Sequence, residues 1–121
     1  MLEKDVSHFI RRWIKSVWTL EVLLCLHDKD GEAETSEDLV RLLRSSPLIV
    51  NDALAALTSA KLVTQSSRGS YLFRPATPEL AELVEKLAEA HREFPVAVVQ
   101  AIYAQASEIE KFANAFRLRK D

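Results

Sequence analysis

Few residues in this chain have the types and spacing that chemistry requires. His8, His27, His91 and Cys25 are the side chains a metal would need, yet they are scattered over separate segments without a ligand spacing. Cys25 and His27 lie two apart, so on a helix they point in widely separated directions. Ser7 and His8 are adjacent, and neighbours on a helix do not face each other as a nucleophile and its base must. There is no glycine-rich phosphate loop and no acidic pair in a catalytic context. The residues therefore point away from an enzyme, and neither a cofactor nor a metal is expected. Trp13 and Trp18 read most simply as core anchors.

Charge is more informative. Residues 1–34 hold five Lys/Arg against seven Asp/Glu, residues 35–74 hold five against three, and residues 75–121 hold six against eight. Only the middle segment is positive, as a surface facing phosphates requires. The formal net charge of the whole chain is −2, which excludes a bulk-basic nucleic-acid binder but not a local basic face.

The elements that must position these residues follow from periodicity. Val6, Phe9, Ile10, Trp13, Ile14 and Val17 recur at three- and four-residue steps, predicting an opening helix with one apolar stripe. Through Leu20, Val22, Leu23, Leu24 and Leu26 the pattern becomes apolar on nearly all sides, the mark of a central buried helix, with Gly31 as a plausible stop. Thr35 or Ser36 caps the next helix, Asp38 stands in capping-box position, and Leu39, Leu42 and Leu43 form its stripe. That helix ends at Ser45-Ser46-Pro47, where Ser46 caps a further helix and Pro47 takes the first helical position, which needs no N–H. Val50, Leu54 and Leu57 give this helix its apolar face up to about Ala60. Leu62–Gln65 and Ser70–Arg74 are β-prone runs around a turn containing Gly69, so a hairpin is expected. Thr77-Pro78-Glu79 starts another helix with Leu80, Leu83, Val84 and Leu87 inward; Pro95 interrupts it, and Ser107 with Glu110 opens a last one.

With 121 residues the chain is expected to be a single domain: N-terminal helices over 1–34, a core module over 35–75 and C-terminal helices over 76–121. Two glycines are too few for an all-strand fold with many tight turns, so the fold class is mostly α with a small β-hairpin. A lone cysteine excludes an internal disulfide, the first residues lack a secretory pattern, and no apolar run approaches the ~20 residues that span a bilayer. A soluble cytoplasmic protein with no membrane partner is the expectation.

The stretch from Thr35 to Val63 resembles the DNA-binding core of bacterial winged helix-turn-helix transcription regulators, broadly the MarR-like and PadR-like kind. The matching pieces are the Leu39/Leu42/Leu43 helix, the Ser46-capped second helix with Val50, Leu54 and Leu57, and Leu62-Val63 leading into the hairpin, or wing. Those regulators usually carry a glycine before the Leu-Val pair, where this chain has Lys61. The exposed side of the second helix would show Leu48, Ile49, Asn51, Asp52, Ala55 and Thr58, with no Arg or Lys.

The resemblance implies double-stranded DNA as partner. Ser45, Ser46, Asn51 and Thr58 would then face the major groove, where Asn pairs with adenine's edge and serines near a helix start bond phosphates. Arg68 at the wing tip would enter the minor groove or hold the backbone, and Arg41, Arg44, Lys61 and Arg74 would contact phosphate. The other reading leaves Ser46 as a mere cap and the arginines as solvated surface. So few cations bind weakly as a monomer; the resemblance implies a homodimer through the flanking helices, with Phe94, Tyr103, Phe112 and Phe116 as interface candidates. Those four aromatics could equally pack onto their own module. Leu48, Ile49 and Asp52 would also lie on the DNA-facing side, where Leu48 and Ile49 suit thymine methyls, but the three equally suit a protein partner, the alternative being an adaptor that regulates another transcription or replication protein. Leu48 and Ile49 have a third reading, partial burial against the preceding helix.

Overall fold

The computed structural model describes residues 2–29 and 31–104. The chain is mostly helical with one small antiparallel sheet: α1 (Lys4–Trp13), α2 (Val17–Asp28), α3 (Ser36–Leu43), α4 (Pro47–Ser59), β1 (Val63–Gln65), β2 (Tyr71–Phe73) and α5 (Pro78–Glu93), followed by helical residues 95–104, here α6. Among the described residues no helix is long and apolar enough to cross a membrane.

The opening stripe does not run through one helix to Val17. Ser16 takes an extended conformation and its Oγ accepts a hydrogen bond from the Thr19 N–H at 3.0 Å, so it starts α2 afresh. Ile14 and Val17 still face inward on either side of this break, which is why periodicity runs across it undisturbed. α2 is the central helix: Leu20, Val22, Leu23 and Leu26 are completely buried, and its principal neighbour is α4. Trp18 is no core anchor; it is 36% exposed, while Trp13 is half-buried with the Arg12 guanidinium 5.1 Å from its ring centroid.

α3 and α4 are separated by only three residues, Arg44-Ser45-Ser46. Thr35 caps α3 through the Asp38 N–H at 3.0 Å, and Ser46 caps α4 through the Ile49 N–H at 3.3 Å with Pro47 in the first turn. At the end of α3, Arg44 lies in the left-handed region (φ +53°), which lets the Ser45 N–H reach back to the Val40 carbonyl. α4 ends the same way: Lys61 has φ +63° and the Leu62 N–H returns to the Leu57 carbonyl. In both places the left-handed residue redirects the chain within one step, so α3, α4 and β1 follow each other without slack.

β1 and β2 pair antiparallel, Val63 opposite Phe73 and Gln65 opposite Tyr71. The hairpin loop is Ser67-Arg68-Gly69, closed by Gly69 N–H to the Ser66 carbonyl and Ser66 N–H to the Ser70 carbonyl; Gly69 takes the left-handed position (φ +86°) that such a loop demands. Tyr71 also exchanges two backbone hydrogen bonds with Glu34, at 2.8 and 2.7 Å, so the segment entering α3 lies along the hairpin as a single antiparallel bridge. Thr77 caps α5, Pro78 occupies its first turn, and the helix stops before Pro95. α5 packs on α1, where Lys86 Nζ lies 2.9 Å from Asp5 and 3.7 Å from Glu3.

Candidate nucleic-acid interface

α4 divides into two faces. Val50, Ala53, Leu54 and Leu57 are buried toward α2, leaving Leu48, Asn51, Asp52, Ala55 and Thr58 on the open side. Leu48 is 72% exposed, so it does not tuck against α3, whereas Ile49 is half-buried. Leu42, near the end of α3, is 54% exposed although its spacing with Leu39 and Leu43 reads as core. Only Leu39 of that trio is completely buried, because an eight-residue helix meets α4 and α2 along a narrow line. A shallow groove between α3 and α4 is lined by Ser36, Val40, Arg41, Pro47 and Asn51 among others.

The cations fall into two sets. Arg41 is engaged by Asp38 one turn back in α3. Hydrogen bonding from Thr35 holds the Asp38 carboxyl below the usual carboxylate range, and Arg41 adds to the effect. By contrast Arg44, Lys61, Arg68 and Arg74 are exposed and make no ion pair among the described residues. Arg44 sits in the turn before α4 and Lys61 directly after it, so the helix has a cation at each end and none along its open face. Lys61 and Arg74 line one hollow with Thr58, Thr64 and Gln65, their strands held together by Arg74 N–H to the Leu62 carbonyl and Ala76 N–H to the Lys61 carbonyl. Arg68 stands apart on the hairpin loop.

Three hydroxyls are less free than their positions suggest. Ser45 Oγ is buried and has no hydrogen-bond partner, so it is not presented to the open face. Ser46 Oγ is occupied as the α4 cap, and Thr58 Oγ1 donates to the Leu54 carbonyl of its own helix at 2.7 Å. Asn51 is the one amide on the open face of α4, able both to donate and to accept. The face can therefore hold anions at its ends and offer one amide and a leucine between them.

Of the expected pairing surface, Phe94 is 44% and Tyr103 62% exposed; Phe112 and Phe116 lie outside the described residues, as do Ser107 and Glu110. Tyr103 shares a hollow with Trp18, Lys15 and Ile102, and Phe94 closes another between α1 and α5. Sequence reasoning missed two junctions, one tying α5 to α2 and the hairpin, the other tying the end of α2 to the segment that enters α3. His27 at the end of α2 contacts Glu85 of α5 and meets the Phe73 ring edge-on at 5.3 Å; Lys29 pairs with Glu34 at 3.4 Å beside the bridge to Tyr71. Among the described residues no group of three or more His, Cys, Asp or Glu is placed to hold a metal ion. No protein-family model, curated protein or solved structure matches the chain.

Proposed function

We propose that this chain is a DNA-binding transcription regulator of winged-helix type, working as a homodimer, with α4 in the major groove and the β1–β2 hairpin as the wing. The order α2, bridge at Glu34, α3, three-residue turn, α4, β1, β2 supports the reading, since it is the helix, tight turn, helix and β-ribbon succession of a winged helix-turn-helix. The observation that carries it is the placing of unpaired cations at both ends of α4. Thirteen residues at 1.5 Å per residue make α4 about 20 Å long, against a major groove about 12 Å wide. A helix is about 10–12 Å across, so it enters that groove lengthwise, with Arg44 and Lys61, just beyond its two ends, available to the flanking phosphates. Asn51 and Leu48 are left for base edges and thymine methyls, and Arg68 for the neighbouring minor groove or backbone.

Fluorescence anisotropy with a labelled duplex, at low and then moderate salt, tests this. The reading requires binding at low salt that weakens steeply as salt rises, and an Arg68→Ala chain that binds all sequences more weakly. No binding to promoter or bulk DNA at low salt rejects it.

The exposure of Leu48 and Leu42 favours a second reading, a protein-interaction module whose contact surface is Leu48, Ile49 and Asp52. A pull-down in which Leu48→Glu abolishes capture while DNA binding is untouched supports this one. If no partner depends on that face, it fails.

A further inference from the structure

Two cations and no carboxylate meet in the hollow between the end of α4 and the base of the hairpin, where Lys61 and Arg74 both form part of the lining. By contrast, the hollow beside Lys86 also holds Glu3, Glu89 and Glu93, and the groove beside Arg41 holds Glu37. Lys61 and Arg74 make no ion pair among the described residues, so their charge is uncompensated there. Main-chain bonds hold the backbone under both. The Lys61 N–H reaches the Thr58 carbonyl at 3.0 Å, the Ala76 N–H the Lys61 carbonyl at 2.9 Å, and the Arg74 N–H the Leu62 carbonyl at 3.0 Å. The two side chains therefore rise from a fixed base, which lowers the cost of ordering them on a ligand. The same bonds, with Leu62 N–H to the Leu57 carbonyl, occupy carbonyl oxygens that would otherwise repel an anion at the end of α4. Thr64 adds an exposed hydroxyl with no partner among the described residues, and Gln65 an exposed amide that uses one N–H on Gly69 and has another to give. The hollow measures about 440 Å³, inside the ~300–1,000 Å³ range of small-molecule sites.

From this we propose that the hollow binds a small molecule bearing a phosphomonoester or free phosphate group, with Lys61 and Arg74 sharing its charge and Thr64 and Gln65 donating to its oxygens. Such a group carries a charge of about −1.5 to −2 at pH 7 and three strong acceptor oxygens. A phosphodiester of a DNA backbone carries a single charge, which would leave one of two cations in the same hollow uncompensated. Two cations match the dianion. The site needs no DNA, so this inference and the proposed function can fail separately. Lys61 cannot serve both ligands at once, so a filled hollow opposes the phosphate contact that the proposed function gives it.

Titration of the full chain without DNA, followed through its backbone amide signals by NMR, is the test. The probes are glycerol 3-phosphate, inorganic phosphate, and dimethyl phosphate as a singly charged model of the DNA backbone, each set against sodium chloride at the same ionic strength. Glycerol 3-phosphate and inorganic phosphate should give saturating shifts centred on Lys61, Thr64, Arg74 and Ala76, and dimethyl phosphate should bind at least about fivefold more weakly. Lys61→Gly and Arg74→Gln should each weaken glycerol 3-phosphate binding about fivefold, and the two together should abolish saturation, with unchanged circular dichroism as the check on folding. Shifts no larger than chloride produces overturn the inference, as do shifts of equal size at Arg44 and Arg68. So does dimethyl phosphate that binds as tightly as the monoester, which would assign these cations to a DNA backbone, or a folded double variant that binds as well as wild type.

Discussion

At Lys61 the backbone is left-handed, φ +63°, immediately after a helix end closed by main-chain bonds from the Ala60, Lys61 and Leu62 N–H groups. An L-residue held there costs about 1 kcal/mol, because Cβ crowds the neighbouring carbonyl oxygen. Glycine relieves the crowding but adds freedom to the unfolded chain, a loss of about 0.4–1 kcal/mol. The two effects nearly cancel. Lys61→Gly should therefore leave urea stability within about 1 kcal/mol of wild type, while Lys61→Val, which adds a branched Cβ to the same strain, should be clearly less stable. The same change removes one of the two cations at the ends of α4. If Lys61 lies at a phosphate, the slope of log binding constant against log salt should shrink by about 0.9 for each copy on the duplex. Urea titration gives the first quantity and anisotropy over a salt series the second. A loss of more than about 1 kcal/mol in Lys61→Gly would refute the account of the helix end. An unchanged salt slope in a folded Lys61→Gly would remove Lys61 from the phosphate contacts.

Three further outcomes follow from the packing and caps. Leu57 is completely buried on the side of α4 that meets α2, so Leu57→Ala should cost about 2–5 kcal/mol in a urea melt; a cost under ~1 kcal/mol would mean that this junction is not the core. Ser46→Ala removes the acceptor for the Ile49 N–H and should cost about 1 kcal/mol, and an unchanged denaturation midpoint would show that the cap contributes nothing. The Asp38 carboxyl is held below its ordinary value, mainly by Thr35, so its contribution is present above the unfolded-state pKa and is lost as pH falls through the folded one. Acid melts should accordingly lose part of their pH dependence in Asp38→Asn; superimposable wild-type and variant profiles would contradict this.

Much of the chain's organisation could be read from local chemistry. Thr35, Ser46 and Thr77 act as caps, with Pro47 and Pro78 in first turns, because each job depends only on a side chain and the next three residues. Gly69 marks the hairpin for the same reason. The break at Ser16 was hidden, since Ile14 and Val17 both point inward and the stripe stays in phase across it. Burial misled at Leu42 and Trp18, whose exposure depends on how far a neighbouring helix extends. The left-handed backbone at Lys61 leaves no mark in the sequence, since a lysine gives no sign of a place that a glycine would suit. The Glu34–Tyr71 bridge is made by main-chain groups, and the His27–Glu85 contact and Lys86–Asp5 pair join residues 58 and 81 positions apart, so none of the three leaves a local pattern to find.

If the α3–turn–α4 unit and its hairpin engage DNA, as proposed, they do so in the cell. Sequencing of the DNA cross-linked to the tagged protein in its native cell tests this most directly, with a folded Lys61→Gly, Arg68→Ala chain beside the wild type. Discrete peaks near promoters that share a sequence in the wild type and fade in the variant are the predicted result. Recovery no different from an untagged control, with the protein present and folded, would contradict it.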